Sequence, residues 1–184
     1  MNANSAQSFP LIDALLQLPE EGKNGSIGIC TNTTAPGQVL NMLDPELRPY
    51  VSVLGSLIVN RDGAERMIVN ALVHPTLRYI ILFAEEGLTF SPSTNLLLAI
   101  QHGYDNEKTG NFIKGGRAAS AHYPNIPENL LSLFRENITV LPIFVFKSNF
   151  SKQIVADYLK WLEPRVDPKI FALISKINQK DKVY

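Results

Sequence analysis

The chain of 184 residues has one cysteine, three histidines and no excess of either charge. Each shortage removes a class of function. A single cysteine allows neither a disulfide framework nor a thiolate metal cluster. In "SIGICTN", with no neighbouring base in view, Cys30 reads as a small buried hydrophobe rather than a nucleophile. Seventeen basic residues balance seventeen acidic ones, so no net field draws the protein to nucleic acid or to an anionic membrane. No stretch approaches the roughly 20 apolar residues that span a bilayer. "MNANSAQSFPLIDALLQLP" has no basic segment ahead of a long apolar run, so it does not read as a signal peptide. A soluble, cytoplasmic protein is the expectation.

Signature loops are missing too. No G-x-G-x-x-G follows a strand, and "LGSLIVNRDG" has the wrong glycine spacing for a dinucleotide. "EKTGNFIKGG" has lysines and glycines in the wrong order for a phosphate-binding P-loop. No G-x-S-x-G elbow is present. His74, His102 and His122 are 20 or more positions apart, which is not a metal-ligand spacing.

What is there is a regular alternation. "PLIDALLQL" (10–18) reads as a short amphipathic helix and "SIGIC" as a first strand. "APGQVLNMLDPELRPY" looks irregular, with one helical turn between prolines. "VSVLGSLIV" is a second strand, leaving through the polar loop Asn60-Arg61-Asp62-Gly63. "AERMIVNALVHP" is a helix with Met67, Ile68, Ala71 and Leu72 as its apolar stripe and Pro75 as its stop. "LRYIILFA" is a continuous apolar run of the kind covered on both faces. "STNLLLAIQHG" is a helix with Ser93 as N-cap and Gly103 as stop. A long loop over 104–126 follows, with a short strand at Phe112-Ile113. Then come a helix with Pro127 in its first turn, the strand "ITVLPIFVF", and two C-terminal helices, with Trp161 packed on the core.

Short apolar strands alternating with helices predict an α/β, Rossmann-like domain: a mostly parallel sheet with helices on both faces. Its parts are an N-terminal helix and linker (1–25), the sheet domain (26–147) and a helical extension packed on it (148–184). Ligands of such sheets bind outside the carboxyl ends of the strands. Here those ends are Thr31–Thr34, Val59–Gly63 and Glu85–Ser93, with the 104–124 loop folding back towards them. Glu85 and Glu86 leave the third strand together, and only one can face a given ligand. "KGGRAA" suits an anion, with Gly115 and Gly116 for close backbone approach, or is simply a tight turn. His74 and His102 end helices, where capping or exposure is the simpler role, and the dipole favours a charged imidazole. His122, in "AASAHYPN", is the histidine expected to face a pocket.

Taken in order, "GSLIVNRDGAERMIVNALVHPTLRYIILFAEEG", "AIQHGYDN" and "IKGGRAASAHYPNIPENLLSLF" resemble the soluble domain of the corrinoid-binding subunit of tetrahydromethanopterin S-methyltransferase. The resemblance runs from about Ser26 to Phe146. It is carried by Gly55, Gly63, Glu65, Asn70, Pro75, Arg78, Glu86, Gly103, Gly115, Ala119 and Asn125, at nearly the family's spacing. The family's C-terminal membrane anchor is not part of the match.

The resemblance implies a Rossmann-like domain that binds cobalamin or a related corrinoid at the carboxyl edge of its sheet. In that family a histidine in a G-x-H-x-x-G loop ligates cobalt from below. Here the loop reads Thr89-Phe90-Ser91-Pro92-Ser93, so Phe90 stands at the histidine position and both loop glycines are gone. Phenylalanine has no lone pair for cobalt. The expectation is therefore a corrinoid-binding protein without protein coordination of the metal, not catalytic alone, whose partner is a corrinoid-dependent methyltransferase subunit. If it is an enzyme, it is one such subunit. The cofactor-contacting candidates are Thr31, Gly55, Asn60, Glu86, Thr89, Phe90 and Ser91 at the strand ends, with Gly115, Gly116 and His122 from the long loop. The alternatives are a nucleotide or pterin in the same cleft, or a non-catalytic interaction scaffold.

Overall fold

A computed structural model describes residues 24–32, 34–42, 45–57, 60–83, 92–116, 121–143, 149–172 and 175. The expected helix at 10–18 lies outside these residues. Four strands form one sheet: β1 (Ile27–Cys30), β2 (Val51–Gly55), β3 (Tyr79–Phe83) and β4 (Thr139–Ile143). All pairings are parallel and the order is β2-β1-β3-β4. Ile27 faces Tyr79 and Cys30 faces Leu82, while Tyr79 to Phe83 run in register with Thr139 to Ile143. Pro142, which has no N–H, sits in β4, an edge strand of this sheet, where proline is tolerated.

Among the described residues, α1 (Pro36–Met42), α2 (Asn60–Val73), α3 (Pro92–His102), α4 (Glu128–Asn137) and α5 (Asn149–Leu162) connect and flank the strands. The expected α/β, Rossmann-like architecture with a parallel sheet is present. The region expected to be irregular contains α1 and a 3-10 turn, Pro45–Tyr50, rather than a single helical turn.

Two cores lie on the two faces. The larger gathers Ala64, Met67, Ile68 and Ala71 of α2, Leu96 to Ile100 of α3, Leu131 and Phe134 of α4, and Ile154, Val155 and Tyr158 of α5 against Cys30, Ile80, Leu82 and Val140. The smaller joins Val39 of α1 to Ile29, Val51 and Leu54. β3 is not covered equally on its two faces, contrary to its continuous apolar run. Ile80 and Leu82 are buried, whereas Tyr79, Ile81 and Phe83 are half-buried.

α2 begins four residues before Ala64, in the polar run Asn60-Arg61-Asp62-Gly63 that reads as loop. Polar residues suit a first turn, where backbone N–H groups have no helical partner. α3 is buried continuously from Pro92 to Ile100, as a helix apolar on most sides must be. Gly103 ends it in the left-handed conformation, φ +70°, its N–H bonded to the Ala99 carbonyl at 2.9 Å. Pro127 precedes α4 at the cap position rather than inside its first turn. On α5, Tyr158 donates to the Val140 carbonyl at 3.1 Å and ties the helix to β4. Trp161 is half-buried, packed beside Tyr158 and capped by the Arg165 guanidinium 4.4 Å from its ring centroid. Beyond it, Asp167 caps a helical turn over 168–172 by accepting from the Lys169 N–H at 2.7 Å.

Candidate functional site

The strand order fixes where a site can form. From β1 the chain moves outward to β2, then crosses back to β3 and continues to β4. The connections after β1 and β3 therefore leave in opposite directions, and a crevice opens between the carboxyl ends of these neighbours.

At that edge β1 runs into a tight turn. The Thr31 N–H donates to the Gly55 carbonyl at 2.7 Å, so two of the expected site residues, Thr31 and Gly55, are joined. The Thr31 hydroxyl donates to the Thr34 carbonyl at 2.7 Å, and the Thr34 N–H returns to the Thr31 carbonyl at 3.0 Å. Asn32 sits between them with φ +51°, a left-handed conformation that asparagine tolerates. That turn holds its carboxamide at the start of α3. Oδ1 accepts from the Ser93 hydroxyl and from the Cys30 thiol at 3.7 Å. Ser93 is thus not a cap: it lies inside the first turn and spends its hydroxyl on β1. Asn32 is fully buried and its Nδ2 has no hydrogen-bond partner. An unsatisfied buried donor costs about 1–3 kcal/mol. Ser93, Thr94 and Asn95 are also buried, at the positive end of an 11-residue helix.

The remaining candidates fall in two groups. Glu86, Thr89, Phe90 and Ser91 lie outside the described residues, and of Asn60 only its place at the head of α2 is described. Gly115, Gly116 and His122 belong to a hairpin attached to the opposite end of α3. The Lys114 N–H donates to the Gly103 carbonyl at 3.1 Å, and antiparallel bridges join Tyr104 to Ile113 and Phe112 to His122. The Gly-Gly pair makes a tight turn there. Gly115 has φ +82°, and a Cβ on Gly116 would stand 2.6 Å from that of Ala121. His122 stacks on Phe112 with ring centroids 4.9 Å apart.

All three histidines lie away from the crevice. His74 follows α2 at the edge where β1 begins, next to Thr76, whose hydroxyl donates to the Gly25 carbonyl at 2.7 Å. His102 closes α3 at the same edge. The helix dipole would favour a charged His74, but burial prevails and lowers its pKa below 6.5, with Nδ1 buried and unpartnered. Among the described residues no cluster of three or more histidine, cysteine or acidic side chains is placed to hold a metal. Nor is any helix among them long and apolar enough to cross a membrane.

One polar arrangement joins two residues that the resemblance includes but that nothing in the sequence pairs. Glu65 of α2 is buried, and its carboxylate accepts from the Asn125 N–H at 2.8 Å and from Asn125 Nδ2 at 2.9 Å. Around it, Asn111 Nδ2 donates to the carbonyls of Tyr123 and Ile126, and the Tyr104 hydroxyl donates to Ile126 at 2.7 Å. Burial first, then the charges of neighbouring groups including Glu65, push the Tyr104 and Tyr123 phenols far above 10. These contacts fasten the hairpin to α2; both carboxylate oxygens of Glu65 are engaged in holding Asn125.

No family model matches the chain, and no curated protein is significantly similar to it.

Proposed function

We propose that the protein binds a corrinoid at the carboxyl edge of its sheet, with no protein imidazole beneath the cobalt. The observation that carries this reading is the β2-β1-β3-β4 order, which opens a crevice next to the chain segment that resembles the corrinoid loop of the methyltransferase family. Thr31, Asn32 and Ser93 at that edge are neutral and polar, and Asn32 Nδ2 is an unused donor. His74 and His102 end their helices at the other edge, and His122 is stacked on Phe112. A corrinoid bound here keeps its own lower base or a water. The ring would supply methyl-carrier chemistry when bound; the protein's part is to hold it for a methyltransferase partner.

Purified protein is incubated with hydroxocobalamin, passed through gel filtration, and its visible spectrum recorded. A coloured protein peak is expected. A peak that stays colourless with every corrinoid form tried removes the reading and leaves a nucleotide, a pterin or a protein partner for the cleft. In the coloured protein, Phe90→His shifts the spectrum towards imidazole coordination. The same replacement at Thr89 tests the adjacent register of the loop.

A further inference from the structure

We infer that Asn24 is a deamidation site gated by the fold: its side-chain amide is lost when Gly25 leaves the notch it occupies beside β2, and not before. Asn24 and Gly25 form the one Asn-Gly pair in the chain. They lead into β1, at the edge of the sheet opposite the crevice, so the site is independent of the corrinoid reading. The two residues differ in their surroundings. Asn24 is an exposed turn residue, whereas Gly25 is buried.

Glycine at 25 is not free to change. A Cβ there would stand 2.4 Å from the Tyr50 carbonyl oxygen and 2.9 Å from the Ser52 nitrogen, closer than a Cβ can approach. The fold therefore requires glycine after Asn24. That neighbour leaves an asparagine side chain most open to attack, because no Cβ shields or restrains the following nitrogen. In the reaction the Gly25 nitrogen bonds to Cγ of Asn24 and the Cγ–Nδ2 bond breaks. The proton lost by the Gly25 nitrogen passes through solvent to the leaving amide, which departs as ammonia. Water then opens the cyclic imide at either carbonyl, giving aspartate or, with the main chain rerouted through the side chain, isoaspartate.

The same packing holds the reaction back. The attacking nitrogen belongs to a buried residue, away from the solvent that must take its proton. The main chain after it is pinned. The Gly25 carbonyl accepts from the Thr76 hydroxyl at 2.7 Å, and the Ser26 carbonyl accepts from the Arg78 and Tyr79 N–H groups at 2.9 and 3.0 Å. Conversion then proceeds from a locally opened form, at a rate set by the population of that form. Isoaspartate, once formed, adds a methylene to the main chain directly before the notch, and Gly25 no longer fits against both Tyr50 and Thr76.

The test ages full-length parent protein, the same protein unfolded in urea, and the Thr76→Val variant side by side in one mildly alkaline buffer. Peptide mass spectrometry reads the conversion of amide to acid at Asn24. The native parent should convert roughly tenfold or more slowly than the unfolded chain, with Thr76→Val between them. Equal rates in native and unfolded parent would overturn the gate, and that comparison needs no variant. A folded Thr76→Val that converts at the parent rate would overturn it too. No conversion at Asn24 in the unfolded chain would remove the site altogether. Asn24→Asp, which reproduces one product, should melt like the parent, while the isoaspartyl fraction separated from aged protein melts lower. Equal melting of that fraction would show that the notch accepts the longer main chain, and would likewise count against the inference.

Discussion

Glu65 and Asn125, 60 residues apart, meet through two hydrogen bonds of 2.8 and 2.9 Å, one to the asparagine backbone and one to its side chain. The pair joins the second helix to the end of the hairpin, across a long stretch of intervening chain. Hydrogen bonds to a buried charge are stronger than neutral ones, so losing them is felt. Glu65→Ala is expected to destabilise the fold by about 2–3 kcal/mol. Asn125→Ala leaves the backbone bond and removes about 1–2 kcal/mol. In urea unfolding, a double-mutant cycle should give a coupling of about 1 kcal/mol or more. Strict additivity would mean that the two side chains do not act on one another.

The Gly-Gly turn of the hairpin has no room for a side chain at its second position. Gly116→Ala places a Cβ 2.6 Å from that of Ala121 and 3.1 Å from the Ile113 carbonyl oxygen. Its expected cost is about 1–3 kcal/mol, as for overpacking elsewhere. Gly115→Ala meets only Leu98 at 3.7 Å, and its penalty of about 1 kcal/mol comes from φ +82° alone. Thermal melts of the two variants should rank them in that order. The reverse ranking would show that the turn opens to accept the methyl group.

His74 makes stability depend on pH on the acid side of neutrality. Its folded pKa is lowered by burial, so the unfolded chain takes up the proton first. Stability is then fully present above the unfolded value of 6.5 and falls as pH drops through the folded pKa. His74→Gln should flatten the melting-temperature profile between pH 7 and pH 5 relative to the parent. Parallel profiles for the two proteins would mean that the imidazole is solvated.

Two buried phenols and one half-buried one act at the other end of the scale. Tyr104, Tyr123 and Tyr158 all have pKa values raised chiefly by burial, so their contribution is complete below 10 and is lost above it as the unfolded chain ionises. Of six tyrosines in the chain, these three should ionise only with unfolding. The phenolate absorbance of these three should appear together with loss of the helical circular dichroism signal. Their ionisation before that loss would contradict the burial.

Much of the architecture is legible in the sequence. β1, β3 and β4 are short apolar runs bounded by polar residues, and Pro75 and Gly103 stop helices by removing a donor and by accepting a left-handed turn. The start of α2 is not legible, because Asn60 to Gly63 suit a loop and a first turn equally. The role of Ser93 is hidden for a different reason. An N-cap and a first-turn serine look alike until the fold brings Asn32 beside it. Glu65 and Asn125 share no local pattern, since only the crossover from β2 to β3 and the return through α3 place them in contact. His74 shows a competition that position along a helix does not decide. The dipole acts on every helix end, while desolvation depends on what packs there.

β3 has one side pressed into the larger core and the other half open, although its five residues are apolar without a break. Such a strand tolerates change unevenly. Ile80→Ala and Leu82→Ala should each lose about 2–5 kcal/mol, the ordinary toll for emptying a packed site. Tyr79, Ile81 and Phe83, between and around them, are only half-buried, Tyr79 and Ile81 against the larger core and Phe83 against the smaller, so their replacement by threonine should cost less. A saturation library across the run would therefore return survivors with a period of two, an alternation absent from the letters themselves.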